Sequence, residues 1–115
     1  MVERINEDAL SEILKAASDP TRRAILTLLA QQGAMRVTAI HRQFDMSLNS
    51  VSKHIKVLER VGLVARRTEW REHLIEVQME PLVEIDAWFA SLRSIWSLRL
   101  EALDDIVTQG DNEDD

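Results

Sequence analysis

The sequence predicts a mainly α-helical fold with one small β-hairpin, in the order α-α-α-α-β-β-α. Three observations lead there. Glycine and proline number only three and two in 115 residues, too few turn formers for a sandwich of many short strands. Apolar residues recur at helical spacing in most of the chain. Two short stretches, Leu63 to Arg67 and His73 to Met79, read instead as neighbouring strands. At this length the chain makes one small domain with a modest core, which burial against a second copy would enlarge.

The elements follow in order. In residues 7 to 17, Leu10, Ile13, Leu14 and Ala17 share one face of a first amphipathic helix. Asp19-Pro20 then marks a helix start, with aspartate at the N-cap and proline at the first helical position. The second helix runs to about Gln32 with Ile25, Leu28 and Leu29 inward, and Gly33 is its stop. Val37 to Asp45 predicts a short third helix, with Ile40 and Phe44 four residues apart and Val37 near them. A turn at Asp45-Met46 leads to Ser47, the natural N-cap of a fourth helix. There Leu48, Val51, Ile55 and Leu58 cluster on one side. Asn49, Lys53, Lys56 and Arg60 fall on the opposite side, with Ser50 and His54 on a flank, and Gly62 ends the helix.

The two strands come next. Thr68 to Glu72 separates them and is polar except for Trp70, without the Asn-Gly or Gly-rich turn of a tight hairpin. Glu80-Pro81 opens a last, long helix. Leu82, Ile85, Phe89, Leu92, Trp96, Leu103 and Ile106 follow a 3-4 alternation interrupted by Arg99, and Trp88 and Ile95 widen the stripe. A stripe this long needs a partner surface. The first and last helices are therefore expected to form a homodimer interface through Leu10, Leu14, Leu82, Ile85, Trp88, Phe89, Leu92, Trp96 and Leu103, since aromatic residues favour interfaces. One domain is expected over residues 1–109, with GDNEDD at 110–115 as an acidic, disordered tail.

The net charge of −6 hides an asymmetry. Residues 19–73 hold ten Lys/Arg and five Asp/Glu, whereas residues 74–115 hold two and eleven. A polyanion responds to the local field, which salt screens beyond ~8–10 Å. Cysteine is absent, which removes disulfides, thiolate metal sites and thiol redox chemistry and fits a cytoplasmic setting. MVERINEDAL has no apolar signal core, and the longest apolar stretch, near Ala24 to Ala30, is too short to span a bilayer. His41, His54 and His73 are too scattered for a tetrahedral zinc set. Asp104-Asp105 sits in an acidic run at a helix end and reads as solvent-facing. There is no Ser/His/Asp arrangement and no phosphate-cradling glycine loop. No enzymatic activity, catalytic residue, cofactor, metal or membrane partner is expected.

A short helix, a tight turn and a second helix with a polar outer face form the helix-turn-helix pattern. Its second helix enters the DNA major groove by its N-terminal end. A hairpin directly after that helix is the wing of a winged helix. The residue types suit double-stranded DNA: lysine and arginine neutralise phosphates. Asn49 can pair bidentately with adenine and Lys53 can donate to guanine. Ser50 and Ser52 can bond a base or a phosphate, and Arg66, Arg67 and Arg71 are placed for backbone or minor-groove contact. Arg36, Arg42 and Lys56 complete the candidate set.

"SDPTRRAILTLLA" at 18–30, "SLNSVSKHIKVLERVGLVARR" at 47–67 and the tryptophan-containing last helix resemble the ArsR family of winged-helix repressors. The resemblance extends from about Asp8 to about Val107, and its most specific motif is S-x-x-S-V-S-K-H-I-K-V-L-x-x-x-G-L-V. It implies a dimeric bacterial transcription repressor, with Ser47, Asn49, Ser50, Ser52, Lys53 and His54 in the DNA-reading region. Two departures stand out. Many members sense metals through paired cysteines in the third helix or Asp and His ligands in the last. Here the third helix reads "VTAIHRQF" and the last has no histidine, so those metal sites do not carry over, and with "WFASLRSIWSLRLEALD" near its C-terminal end the chain resembles a metal-independent branch. The wing tip usually carries glycine; here Trp70 and the flanking Glu69 and Glu72 replace it. An effector would be a small molecule or a partner protein, if there is one. The alternative function is a protein-interaction module that works through the last helix and acidic tail on a winged-helix scaffold.

Overall fold

Among the described residues the elements are α1 (Val2–Ala17), α2 (Pro20–Gln32), α3 (Val37–His41), α4 (Leu48–Arg60), β1 (Val64–Glu69), β2 (Glu72–Val77) and α5 (Glu80–Glu113). This is the expected order. The computed structural model describes the backbone of residues 2–113 and the side chains of residues 8–108. It groups into two units, Met1–Ile85 and Asp86–Asp115.

The first unit holds the core: Ile13, Ala16, Ile25, Leu29, Ile40, Val51, Ile55, Leu58, Leu63, Val64 and Ile75. Every element from α1 to β2 contributes to it, and Leu82 and Ile85 at the start of α5 pack against it. On α1 the buried positions are Ile13 and Ala16, with Leu10, Leu14 and Ala17 half-buried beside them. The helix also begins earlier than the periodic stretch at 7–17, at Val2.

The start of α2 follows its sequence signals. The Asp19 carboxylate accepts from the Arg22 backbone N–H at 3.0 Å, and Pro20 opens the helix. Two adjacent arginines in a first turn oppose the helix dipole. They serve the preceding helix instead. Arg22 donates to the carbonyls of Ala16 (2.6 Å) and Lys15 (3.3 Å), and Arg23 to those of Ala17 and Ser18 (both 2.8 Å). Carbonyls at and just after the end of α1 thereby gain partners, beside the bonds that Ser18 donates to Lys15.

The third helix is shorter than the predicted Val37 to Asp45. It ends at His41, and i→i−3 bonds from Gln43 to Ile40 and from Phe44 to His41 tighten the chain into a turn. That turn brings Phe44 onto the core. Helix α4 begins at the expected cap: Ser47 Oγ accepts from the Ser50 N–H at 3.1 Å. Val51, Ile55 and Leu58 are fully buried, but Leu48 is 44% exposed. It is the first residue of the helix, a turn short of the first position that reaches the core. At the other end, Gly62 (φ 81°) donates to Glu59 and Leu63 donates to Leu58, both at 3.0 Å. This is a Schellman stop, locked by contact of the buried Leu58 and Leu63.

The hairpin pairs antiparallel from Val64↔Val77 to Glu69↔Glu72, leaving Trp70 and Arg71 as the whole loop. The strands thus reach further toward the tip than predicted. Trp70 has φ 60°, a value that glycine usually supplies at the first position of a two-residue turn. With tryptophan there, the sequence carries no turn signal. At its root the hairpin is anchored by a bridge in which Met35 and Ile75 exchange bonds of 3.0 and 2.7 Å.

The second unit is the remainder of α5. Trp88 (39%), Phe89 (44%), Leu92 (43%), Ile95 (63%), Trp96 (57%) and Leu103 (47%) are all exposed. The Trp88 and Phe89 rings lie 4.9 Å apart, tilted by 59°. The helix assignment continues to Glu113, into the segment expected as a disordered tail; Asp114 and Asp115 lie outside the described residues.

Candidate nucleic-acid interface

The outer face of α4 is the best-formed polar surface of the first unit. Asn49, Lys53, Lys56 and Arg60 are all exposed on it, opposite the buried Val51, Ile55 and Leu58. The fully buried side chains fix the roll of the helix, so the outer stripe cannot turn inward without exposing them. Ser47 and Ser50 are exposed at its N-terminal end. They are already engaged, since the Ser47 hydroxyl donates to Ser50 Oγ at 3.0 Å while its oxygen caps the helix.

Two residues of the expected reading set lie elsewhere. Ser52 is half-buried on the flank that faces the hairpin, the flank of Glu59. His54 is half-buried on the other flank and points to α2: its Nδ1 lies 3.4 Å from the Arg22 guanidinium and 3.9 Å from Asp19 Oδ2. The Arg22 backbone N–H donated to Asp19 is the first cause holding this carboxyl below its usual value of 3.8; burial opposes it, and the His54 and Arg22 charges assist. Asp19, Arg22 and His54 thus tie the end of α1, the start of α2 and the middle of α4 together. The sequence does not reveal this cluster, because His54 lies 32 residues from Arg22. The one available signal was the unfavourable arginine pair at a helix start.

The hairpin differs from expectation in its electrostatics. Arg36 is ion-paired with Glu72. Arg66 Nε donates to Glu59 Oε1 at 2.9 Å, which ties β1 to α4. Arg67 lies 3.4 Å from Glu69 and 3.5 Å from Glu76. Among the described residues, Arg71 has no carboxylate within ion-pair distance and lies with its guanidinium 5.9 Å from the centre of the Trp70 ring. Residues 64–77 carry three arginines and three glutamates, so the wing has no net charge. Arg42 is exposed just after α3. The structure therefore brings Asn49, Lys53 and Lys56 together on one surface, but holds Arg36, Arg66 and Arg67 in separate internal pairs.

Of the expected interface residues, Leu82 and Ile85 are half-buried against the first unit's own core, and Leu10 and Leu14 are half-buried on α1. Trp88, Phe89, Leu92, Trp96 and Leu103 are exposed. No group of three or more His, Asp or Glu able to hold a metal occurs among the described residues, and α3 carries no cysteine. This donor set does not fit a thiolate metal sensor. No helix among the described residues is long and apolar enough to cross a membrane.

A family model described as a helix-turn-helix domain matches residues 17–67. Its span runs from the end of α1 into β1. An uncharacterized HTH-type transcriptional regulator of Methanocaldococcus jannaschii is 41% identical over 51% of this chain and 66% of its own length. A transcriptional repressor of Bacillus subtilis is 38% identical over 49% of this chain and 61% of its own length. The chain thus spans less than two thirds of either curated relative. Among solved structures, an ArsR family transcriptional regulator superposes with a TM-score of 0.72 at 34% identity, covering 79% of this chain and 93% of that one. A homodimeric winged helix-turn-helix DNA-binding domain of Mycobacterium bovis gives a TM-score of 0.61 at 29% identity, covering 76% of this chain and 80% of its own.

Proposed function

The chain belongs to the ArsR family of winged helix-turn-helix transcriptional regulators, and from that membership we propose that it is a homodimeric repressor reading an inverted-repeat operator through α4. The observation that carries the reading is the exposed stripe of Asn49, Lys53 and Lys56 over a fully buried apolar face. Asn49 is suited to adenine and Lys53 to guanine, while Lys56, Arg42 and Arg60 meet phosphates. Ser47 and Ser50, exposed at the helix start, supplement these, whereas the half-buried Ser52 does not. His54 acts indirectly, by holding α4 against α2.

Dimerisation is supported by the exposed apolar residues of α5 and by the homodimeric state of the Mycobacterium bovis domain. Trp88, Phe89, Leu92, Trp96 and Leu103 form the interface in this reading, with Leu10 and Leu14 as further contributors; Leu82 and Ile85 serve the fold of their own copy. Two recognition helices then stand about 34 Å apart, one DNA turn. Repression follows from occupying promoter DNA. It is supported by the similarity to the Bacillus subtilis repressor. With no cysteine and no ligand cluster among the described residues, any effector acts without the family's cysteine metal sites.

The test is selection of duplexes from a random-sequence pool, followed by binding measurements. An enriched inverted repeat, and a Lys53→Ala variant that binds it at least ten-fold more weakly with a native-like circular dichroism spectrum, are expected. Affinity should also fall steeply with salt, because phosphate contacts release counterions. A pool that never enriches, together with a stable complex between α5 and another protein, would point instead to the interaction-module reading.

A further inference from the structure

The wing tip carries a side chain that neither folding nor phosphate attraction explains. Trp70 is 85% exposed, so it adds almost nothing to the core. It sits at φ 60°, where a bulky residue is strained and glycine is not. A residue that is both unburied and strained contributes to something outside the fold.

The rest of the wing narrows what that is. Arg66, Arg67 and Arg36 are held by Glu59, Glu69, Glu76 and Glu72, leaving the wing neutral. Its net charge therefore offers little general attraction to phosphates. The tip groups outside these pairs are the Trp70 indole and the Arg71 guanidinium 5.9 Å from its ring centre. The arm is stiff and directed. Its root is buried at Val64 and Ile75, Arg66 ties it to α4, and Arg36 ties it to the start of α3. Five strand steps from Val64 to Glu69 carry the tip roughly 17 Å outward at ~3.3 Å per residue. A reach of this length is comparable with half of a DNA turn of ~34 Å. The minor groove is about 6 Å wide, too narrow for a strand pair but open to single side chains. Apolar side chains enter it and wedge against the base stack.

We propose that Trp70, backed by Arg71, packs into the minor groove flanking each half-site and contributes a salt-insensitive anchor to DNA binding. This rests on the DNA-reading role of α4 proposed above. The tryptophan would also favour flanks whose base steps open easily, since wedging costs least there.

The duplex selected by the wild-type protein serves as probe. Trp70→Gly restores the residue that the turn geometry favours, so it should fold at least as stably as wild type. It is expected to bind about ten-fold more weakly, within the range of aromatic–base contacts. The slope of log affinity against log salt should stay unchanged, because no phosphate contact is lost. Hydroxyl-radical footprinting should show protection of the flanking minor groove by wild type and its loss in Trp70→Gly, with half-site protection kept. The emission difference between wild type and Trp70→Phe should be quenched on adding DNA. Wild-type binding with Trp70→Gly within two-fold, or no flanking protection, would overturn this inference alone. A wild-type protein that selects no duplex would overturn the DNA-reading role along with it.

Discussion

Asp19 connects the start of one helix to the placement of another. Its carboxylate caps α2 and lies beside His54 of α4. The Arg22 N–H bond lowers its pKa below 3.8 in the fold. The unfolded chain therefore takes up this proton more readily than the folded one. The resulting stabilisation is complete above the unfolded value and is lost as the pH falls through the lower folded value. Asp19→Ala is expected to cost about 1 kcal/mol at neutral pH, as loss of a capping side chain does. Urea unfolding across pH should show the part of that gap due to the charge closing below about pH 4. Asp19→Asn, which keeps the capping oxygen, should lose less. Glu72 offers a test of opposite sign. It occupies Arg36, and an exposed pair of this kind stabilises the fold by no more than ~1 kcal/mol. Glu72→Gln should thus leave the melting temperature nearly unchanged. It frees one cation and removes one repelling charge, so DNA affinity should rise by about two- to five-fold and the salt slope should steepen by about one. Equal affinity would mean that Arg36 does not reach the phosphates.

At the scale of elements, α4 was the most legible part of the chain, because its determinants are local. Ser47 caps it, Val51, Ile55 and Leu58 set its buried face, and Gly62 stops it. The Asn49, Lys53 and Lys56 stripe follows from the same periodicity, so the centre of the candidate site was readable. Gly62 at φ 81° makes this testable. Gly62→Ala meets only ordinary contact with Pro81 Cγ at 3.6 Å, so its cost is the backbone strain, about 1–2 kcal/mol. Thermal unfolding should fall by roughly 5 °C, while DNA affinity well below the transition stays within two-fold. Where tertiary structure decides, the sequence was silent. The early end of α3 depends on Phe44 turning onto the core. The hairpin tip uses a tryptophan at positive φ, which no turn rule anticipates. Arg36 meets Glu72 across 36 residues, and Arg66 and Arg67 meet glutamates whose partners periodicity does not choose. The expected DNA contacts of Arg66 and Arg67 therefore compete with carboxylate partners that only the fold brings to them.

For the whole molecule, the question is what covers α5. A 34-residue helix is roughly 50 Å long, and its apolar side chains from Trp88 to Val107 face solvent in a single copy. Covering each would gain on the order of 1–2 kcal/mol, enough in sum to hold two copies together despite the entropy of association. A symmetric pair also suits the DNA-reading role proposed for α4. One α4 helix spans too few base pairs to select a site, whereas the two of the proposed dimer would bind as one bivalent unit. The second contact then forms at an effective concentration near millimolar, and affinity for a full site exceeds that for a half-site by 10²-fold or more. Trp96 tests this because it is 57% exposed in one copy, so its replacement leaves the monomer's packing nearly intact. Trp96→Glu would place two like charges in the apolar interface of a dimer. Sedimentation should show a monomer with native helix content, half-site affinity within two-fold of wild type, and no preference for the inverted repeat. A variant that stays dimeric and keeps that preference would place the dimer contact away from Trp96, and the exposed face of α5 would then be free for a different partner.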